Sequence, residues 1–88
     1  MNLKIEFKAS VEKDLRKLDR ITAIRILDKL ENILSSKEVQ TLALSGDFTG
    51  LFKLRVGDYW VIFARTDEGF LILRIGHRKD VYRKGRPD

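Results

Sequence analysis

The residues of this chain with chemistry to offer are cations, one indole and a tyrosine. Lys53 and Arg55 alternate along KLRVGDYW, residues 53–60, and Trp60 closes that stretch. Arg74 stands in FLILRIGH, and HRKDVYRKGR then supplies Arg78, Lys79, Tyr82, Arg83, Lys84 and Arg86. Lys and Arg neutralise phosphates, and an aromatic face stacks a base for about 1–3 kcal/mol. Single-stranded RNA presents both groups. It also carries its own nucleophile, the 2′-hydroxyl. An RNA-cleaving protein need only deprotonate that oxygen, stabilise a pentavalent phosphorane and protonate the leaving 5′-oxygen. Cationic clamps provide the charge stabilisation. Tyr82 can serve as the base if neighbouring cations lower its pKa from the usual value of about 10.

Other chemistries find little here. The chain has one histidine and no cysteine. His77 therefore has no soft ligand beside it for a metal and no second imidazole for an acid–base pair. A structural histidine is the favoured reading. No serine sits in a nucleophile elbow, and the glycines of SGDFTG lack the GK[ST] of a phosphate loop. No cofactor and no metal are expected.

These side chains must be set out by strands. Gly57-Asp58 is a two-residue turn with glycine leading, as type II′ requires. It pairs Val56 with Tyr59, Arg55 with Trp60 and Leu54 with Val61. Three strands are predicted: Leu51–Val56, Tyr59–Thr66 and Phe70–Gly76. A three-residue loop Asp67-Glu68-Gly69, with Gly69 left-handed, pairs Ile62 with Arg74 and Trp60 with Gly76. The core face then reads Phe52, Leu54, Val56, Tyr59, Val61, Phe63, Leu71, Leu73 and Ile75. A four-residue loop would bury Arg74 unpaired, at a cost of several kcal/mol. Lys53, Arg55, Trp60, Ile62, Ala64, Ile72, Arg74 and Gly76 fall on the opposite face, and Arg78 joins them if the strand continues. An exposed indole among cations needs a partner or a cover. Nucleic-acid binding is therefore favoured over an ordinary wet sheet face.

Upstream, Asn2 to Phe7 alternates as a half-buried strand. Ser10 can cap a short helix carrying Val11, Leu15 and Leu18. Asp19 can cap a longer one with the stripe Ala23/Ile24, Leu27, Leu30 and Ile33/Leu34, ended by Ser35-Ser36. Leu42 and Leu44 should tuck under the core from a loop, and Gly46 to Gly50 reads as a turn. The order β-α-α-β-β-β predicts an α+β domain, with two helices packed on one face of a small, mainly antiparallel sheet. Its 88 residues are expected to form one domain, 1–88.

Charge is unevenly spread. Residues 1–50 hold nine Lys/Arg against eight Asp/Glu, whereas residues 51–88 hold nine against five. A basic excess at one end points to a polyanionic partner. The longest apolar run, Tyr59 to Ala64, is too short to span a bilayer, and MNLKIEF has charges where a signal peptide needs an apolar stretch. A cytoplasmic protein with no membrane partner is expected.

GDFTGLFKLRVGDYWVIF followed by LILRIGHRKDVY resembles the RelE toxins of toxin–antitoxin pairs, within the RelE/ParE superfamily. The resemblance covers nearly the whole chain and is strongest from Gly46 to Tyr82. It implies an endoribonuclease that enters the ribosomal A site and cuts messenger RNA without metal, leaving a 2′,3′-cyclic phosphate. It implies Lys53, Arg78 and Tyr82 as catalytic residues, with Tyr82 as the base. Arg55, Trp60, Arg74, Lys79 and Arg83 would bind RNA. The expected partners are a cognate antitoxin, the ribosome and messenger RNA. One position departs from the pattern: Trp60 stands where the family's GDYR carries an arginine that would help stabilise the transition state. The alternatives are a ParE-like protein acting on DNA gyrase and a catalytically impaired binding protein.

Overall fold

A computed structural model describes residues 4–44, 46 and 49–77. Strand β1 (Lys4–Phe7) leads into helices α1 (Ala9–Arg16) and α2 (Arg20–Leu34), then a 3₁₀ turn over Lys37–Leu42. Strands β2 (Leu51–Val56), β3 (Tyr59–Arg65) and β4 (Gly69–His77) follow. The sheet runs β1-β4-β3-β2, with β1 parallel to β4 and the other pairs antiparallel. This is an α+β fold with the helices ahead of the sheet in the chain.

Asp19 caps α2 as its position suggested. Its carboxylate accepts from the Thr22 hydroxyl at 2.6 Å and from the Thr22 amide at 3.1 Å. The hydroxyl bond first, and the amide bond next, hold the Asp19 pKa below its ordinary 3.8. A carboxylate lowered in the folded state adds stability above its unfolded pKa, and that contribution fades as pH falls through the lowered value. Asp19→Ala should therefore lower the melting temperature at pH 7. The gap from the native chain should narrow in melts taken below about pH 4.

Ser10 is not a cap. Helix α1 starts at Ala9 with Lys8 at the N-cap position and no side-chain cap bond. The Lys8 amide donates instead to the Ile72 carbonyl at 3.0 Å, so the sheet anchors this helix start. On α2 the buried residues are Ile26, Leu30 and Leu34, with Leu27 and Ile33 packed beside them. Ile24, expected inside, is 48% exposed, and Ile21 is 70% exposed. Apolar residues at 21, 24, 26 and 27 lie on more than one side of the helix, and the sheet takes the side centred on Ile26.

The core joins α1 and α2 to the sheet through Val11, Ile26, Leu30, Phe52, Leu54, Val61, Phe63, Phe70, Ile72 and Ile75. Phe52 stacks on Phe63 with centroids 5.2 Å apart, and Phe70 meets Phe63 edge-on at 5.5 Å. Such aromatic geometry contributes about 0.5–1.5 kcal/mol per pair beyond area burial.

Ile72 is expected on the open face, and its burial, together with that of Phe70, corrects the register near the β3–β4 turn. Arg65 pairs with Phe70, and Phe63 pairs with Ile72. The register then shifts between Ile62 and Phe63, so that Ile62 pairs with Arg74 and Trp60 with Gly76. Leu73 is the extra residue of a β-bulge. Leu71 and Leu73 are only half-buried, and Ile72 belongs to the core rather than the open face. The bulge reverses parity within β4, which keeps Arg74 out of the core without a three-residue turn. Gly69 is accordingly in strand β4 and has no positive φ.

Candidate nucleic-acid interface

The β2–β3 hairpin has the expected register, Val56 with Tyr59, Arg55 with Trp60 and Leu54 with Val61. Gly57 has φ +61°, and Asp58 is not at positive φ, which agrees with a type II′ turn. Beyond the bulge, two cross-strand rows define the face turned away from the helices. One is Lys53–Ile62–Arg74 and the other is Arg55–Trp60–Gly76. The alternate rows, such as Leu54–Val61–Ile75, are buried.

Lys53 and Trp60 are diagonal neighbours across β2 and β3, within reach for long side chains. The Lys53 ammonium lies 4.1 Å from the indole centroid. The Arg55 guanidinium is 5.9 Å from the same ring. A cation over an indole is worth about 0.5–1 kcal/mol where exposed and about 2 when desolvated. Arg55 is exposed, and its Nε donates to the Gly57 carbonyl at 2.9 Å, which folds it back over the turn. Arg74 is half-buried, and its Nε is enclosed with no hydrogen-bond partner among the described residues. The structure thus brings Lys53, Trp60, Arg55 and Arg74 onto one face. Arg78, Lys79, Tyr82 and Arg83 lie outside the described residues.

His77 pairs with Tyr59 and faces the helix side of the sheet. Its ring meets Tyr59 edge-on, with centroids 5.4 Å apart. Both line a cleft of about 390 Å³ with Asp14, Lys17 and Leu18 of the α1 region. Strand β1 reaches only as far as Ile72 along β4, so the β4 edge beyond is uncovered. There the Ile75 amide donates to the Asp14 carboxylate at 3.2 Å. Sequence reasoning missed this cleft and this bond. The two partners are 61 residues apart, and no local pattern joins them. Among the described residues, no helix is long and apolar enough to cross a membrane.

Two helices backing a four-stranded mixed sheet, with a basic face left open, make this a small α+β protein. The chain belongs to the family described as the ParE toxin of type II toxin–antitoxin systems, parDE, which matches residues 5–82. It is thus a toxin of the RelE/ParE superfamily. Among solved structures, the isolated Escherichia coli RelE toxin is similar at 21% identity and TM-score 0.74, covering 96% of this chain and 95% of that one. The RelBE2 toxin–antitoxin complex from Mycobacterium tuberculosis is similar at 25% identity and TM-score 0.71, covering 86% and 91%. The RelE-RelB complex from Pyrococcus horikoshii is similar at 28% identity and TM-score 0.67, covering 89% and 97%. No curated protein matches this sequence significantly.

Proposed function

We propose that this toxin is a ribosome-dependent endoribonuclease that cuts messenger RNA in the A site. The observation that carries the reading is the open sheet face, with Lys53 on the Trp60 ring and Arg74 one strand beyond in the Lys53 row. Tyr82 removes the 2′-hydroxyl proton, and the 2′-oxygen attacks the adjacent phosphorus. Lys53 and Arg78 stabilise the charge of the phosphorane, and the 5′-oxygen leaves with a proton taken from water, while Tyr82 returns to solvent the proton it removed. The products are a 2′,3′-cyclic phosphate and a free 5′-hydroxyl, a balance that needs no metal or cofactor. Arg55 grips a flanking phosphate, and Arg74, Lys79 and Arg83 bind the backbone. Trp60 stacks a base. If that base takes the ring face now held by Lys53, the displaced ammonium has a phosphate to move to, so stacking and charge neutralisation proceed together.

A cognate antitoxin covers this basic face in the cell, a cytoplasmic one on this reading. The RelBE2 and RelE-RelB neighbours, solved as toxin–antitoxin complexes, support such a partner. The whole chain, 1–88, is proposed to act as one toxin domain.

Induced expression should arrest growth, and primer extension should find cuts only in translated messages. Lys53→Ala should lower single-turnover cleavage on ribosomes by about a hundredfold or more. Arrest with intact messages would overturn the reading. The family description names ParE, which favours a second reading as a DNA gyrase inhibitor. Loss of gyrase supercoiling on addition of the purified toxin would select it.

A further inference from the structure

We propose that Lys53 and Arg74 close on one and the same phosphodiester from opposite sides of Ile62, a deepening that rests on the RNA-cleaving reading above. Both residues pair with Ile62, Lys53 from β2 and Arg74 from β4. Neighbouring strands lie about 4.8 Å apart, so their backbones are roughly 10 Å apart. Both side chains are long enough to converge over Ile62 on one anion, whose negative charge offsets the repulsion between the two cations. The bulge at Leu73 is what sets Arg74 in this row: without it, parity would turn this cation toward the helices.

Arg74 carries the second sign of a ligand. A guanidinium has only donors, and its enclosed Nε has no acceptor among the described residues. A donor withdrawn from water without a partner costs free energy, and an incoming anionic oxygen removes that cost. Charge-assisted bonds from the planar fork to phosphate are among the stronger ones available, and lysine adds a point charge beside them. The indole in the next row favours a nucleic-acid phosphate over a protein carboxylate, because a nucleotide supplies a base for the ring as well as the anion. Arg74 thus adds a planar donor fork to the row that Lys53 occupies, next to the row of Trp60.

The test uses 70S ribosomes programmed with a message whose A-site codon is 2′-O-methylated, so that binding is read without cleavage. Arg74→Met keeps the aliphatic stem and removes the fork. It should weaken binding about tenfold, and Lys53→Met should do likewise. The double variant should lose less than the product of the two, because both cations serve one anion. Its salt slope should fall by about 0.7, the share of one single-strand phosphate. Arg74→Lys should recover part of the affinity.

Several results would overturn the proposal. If Arg74→Met binds normally while Lys53→Met is weak, Arg74 has no part in the site, although the RNA reading stands. If losses multiply and the slope falls by about 1.4, the cations hold two phosphates. If Arg74→Met binds ribosomes normally but loses its cognate antitoxin, the anion is a protein carboxylate. If the native toxin does not bind the programmed ribosome, the RNA reading itself fails. Circular dichroism melts of each variant separate these outcomes from loss of fold.

Discussion

Tyr82→Phe should retain ribosome binding and lose cleavage by about 10²–10⁴-fold in single-turnover assays. The substitution removes one oxygen and keeps the ring, so packing and stacking change little while the proposed base disappears. Arg78→Ala should cost about 10²–10³-fold, because it removes one cation from the developing phosphorane. The two differ in what can restore them. A base defect should ease as pH rises and hydroxide takes over the proton, whereas a missing cation should not. Both variants should permit growth on induced expression. If both remain fully toxic, metal-free 2′-hydroxyl attack is not how this toxin acts, and the supercoiling assay decides between the two readings above.

The candidate site was legible where one residue type leaves few choices. Gly57-Asp58 admits one tight hairpin, and that turn fixes Lys53, Arg55 and Trp60 on a common face. Arg74 was placed by exclusion, since an unpaired guanidinium among Phe63, Val61 and Ile75 is too costly. Arg74 does stay out of the core, but by another route: Arg65 pairs with Phe70, the register of the rejected four-residue loop, and the bulge at Leu73 then restores the parity. Leu71, Ile72 and Leu73 are all apolar, so alternation is silent over the stretch where parity changes. A three-residue turn and a bulge give the same pairing from Arg74 onward, and only the burial of Phe70 and Ile72 tells them apart. The α2 stripe slipped for a related reason: surplus isoleucines at 21 and 24 let more than one helical face look apolar. Asp14 on the Ile75 amide was beyond reach, because its cause is the short β1 leaving an edge open far along the chain.

Gly69 shows the same contrast between local pattern and distant contact, and it carries the largest expected effect on stability. Its glycine is not there for a left-handed turn. A Cβ on Gly69 would lie 2.7 Å from the Lys4 nitrogen and 2.9 Å from the Lys4 carbonyl carbon, and would collide with the Lys4 carbonyl oxygen. Strand β1 crosses Gly69 at this point, where the Lys4 amide donates to the Glu68 carbonyl at 3.0 Å. All three obstructing atoms are backbone, so no rotamer change relieves them, and β1 must move off β4. That movement loosens the parallel pairing down to Phe7↔Ile72 and exposes the core beside Ile5. Gly69→Ala should therefore cost about 2–4 kcal/mol in urea unfolding, at the upper end of what overpacking does. Gly57→Ala is the comparison: it meets no atom within 4 Å and suffers only from its φ of +61°. Its cost should be about 1–2 kcal/mol. A Gly69→Ala protein as stable as Gly57→Ala, or more so, would mean that β1 does not lie on Gly69 as described, and that the first strand is held to the sheet by other contacts.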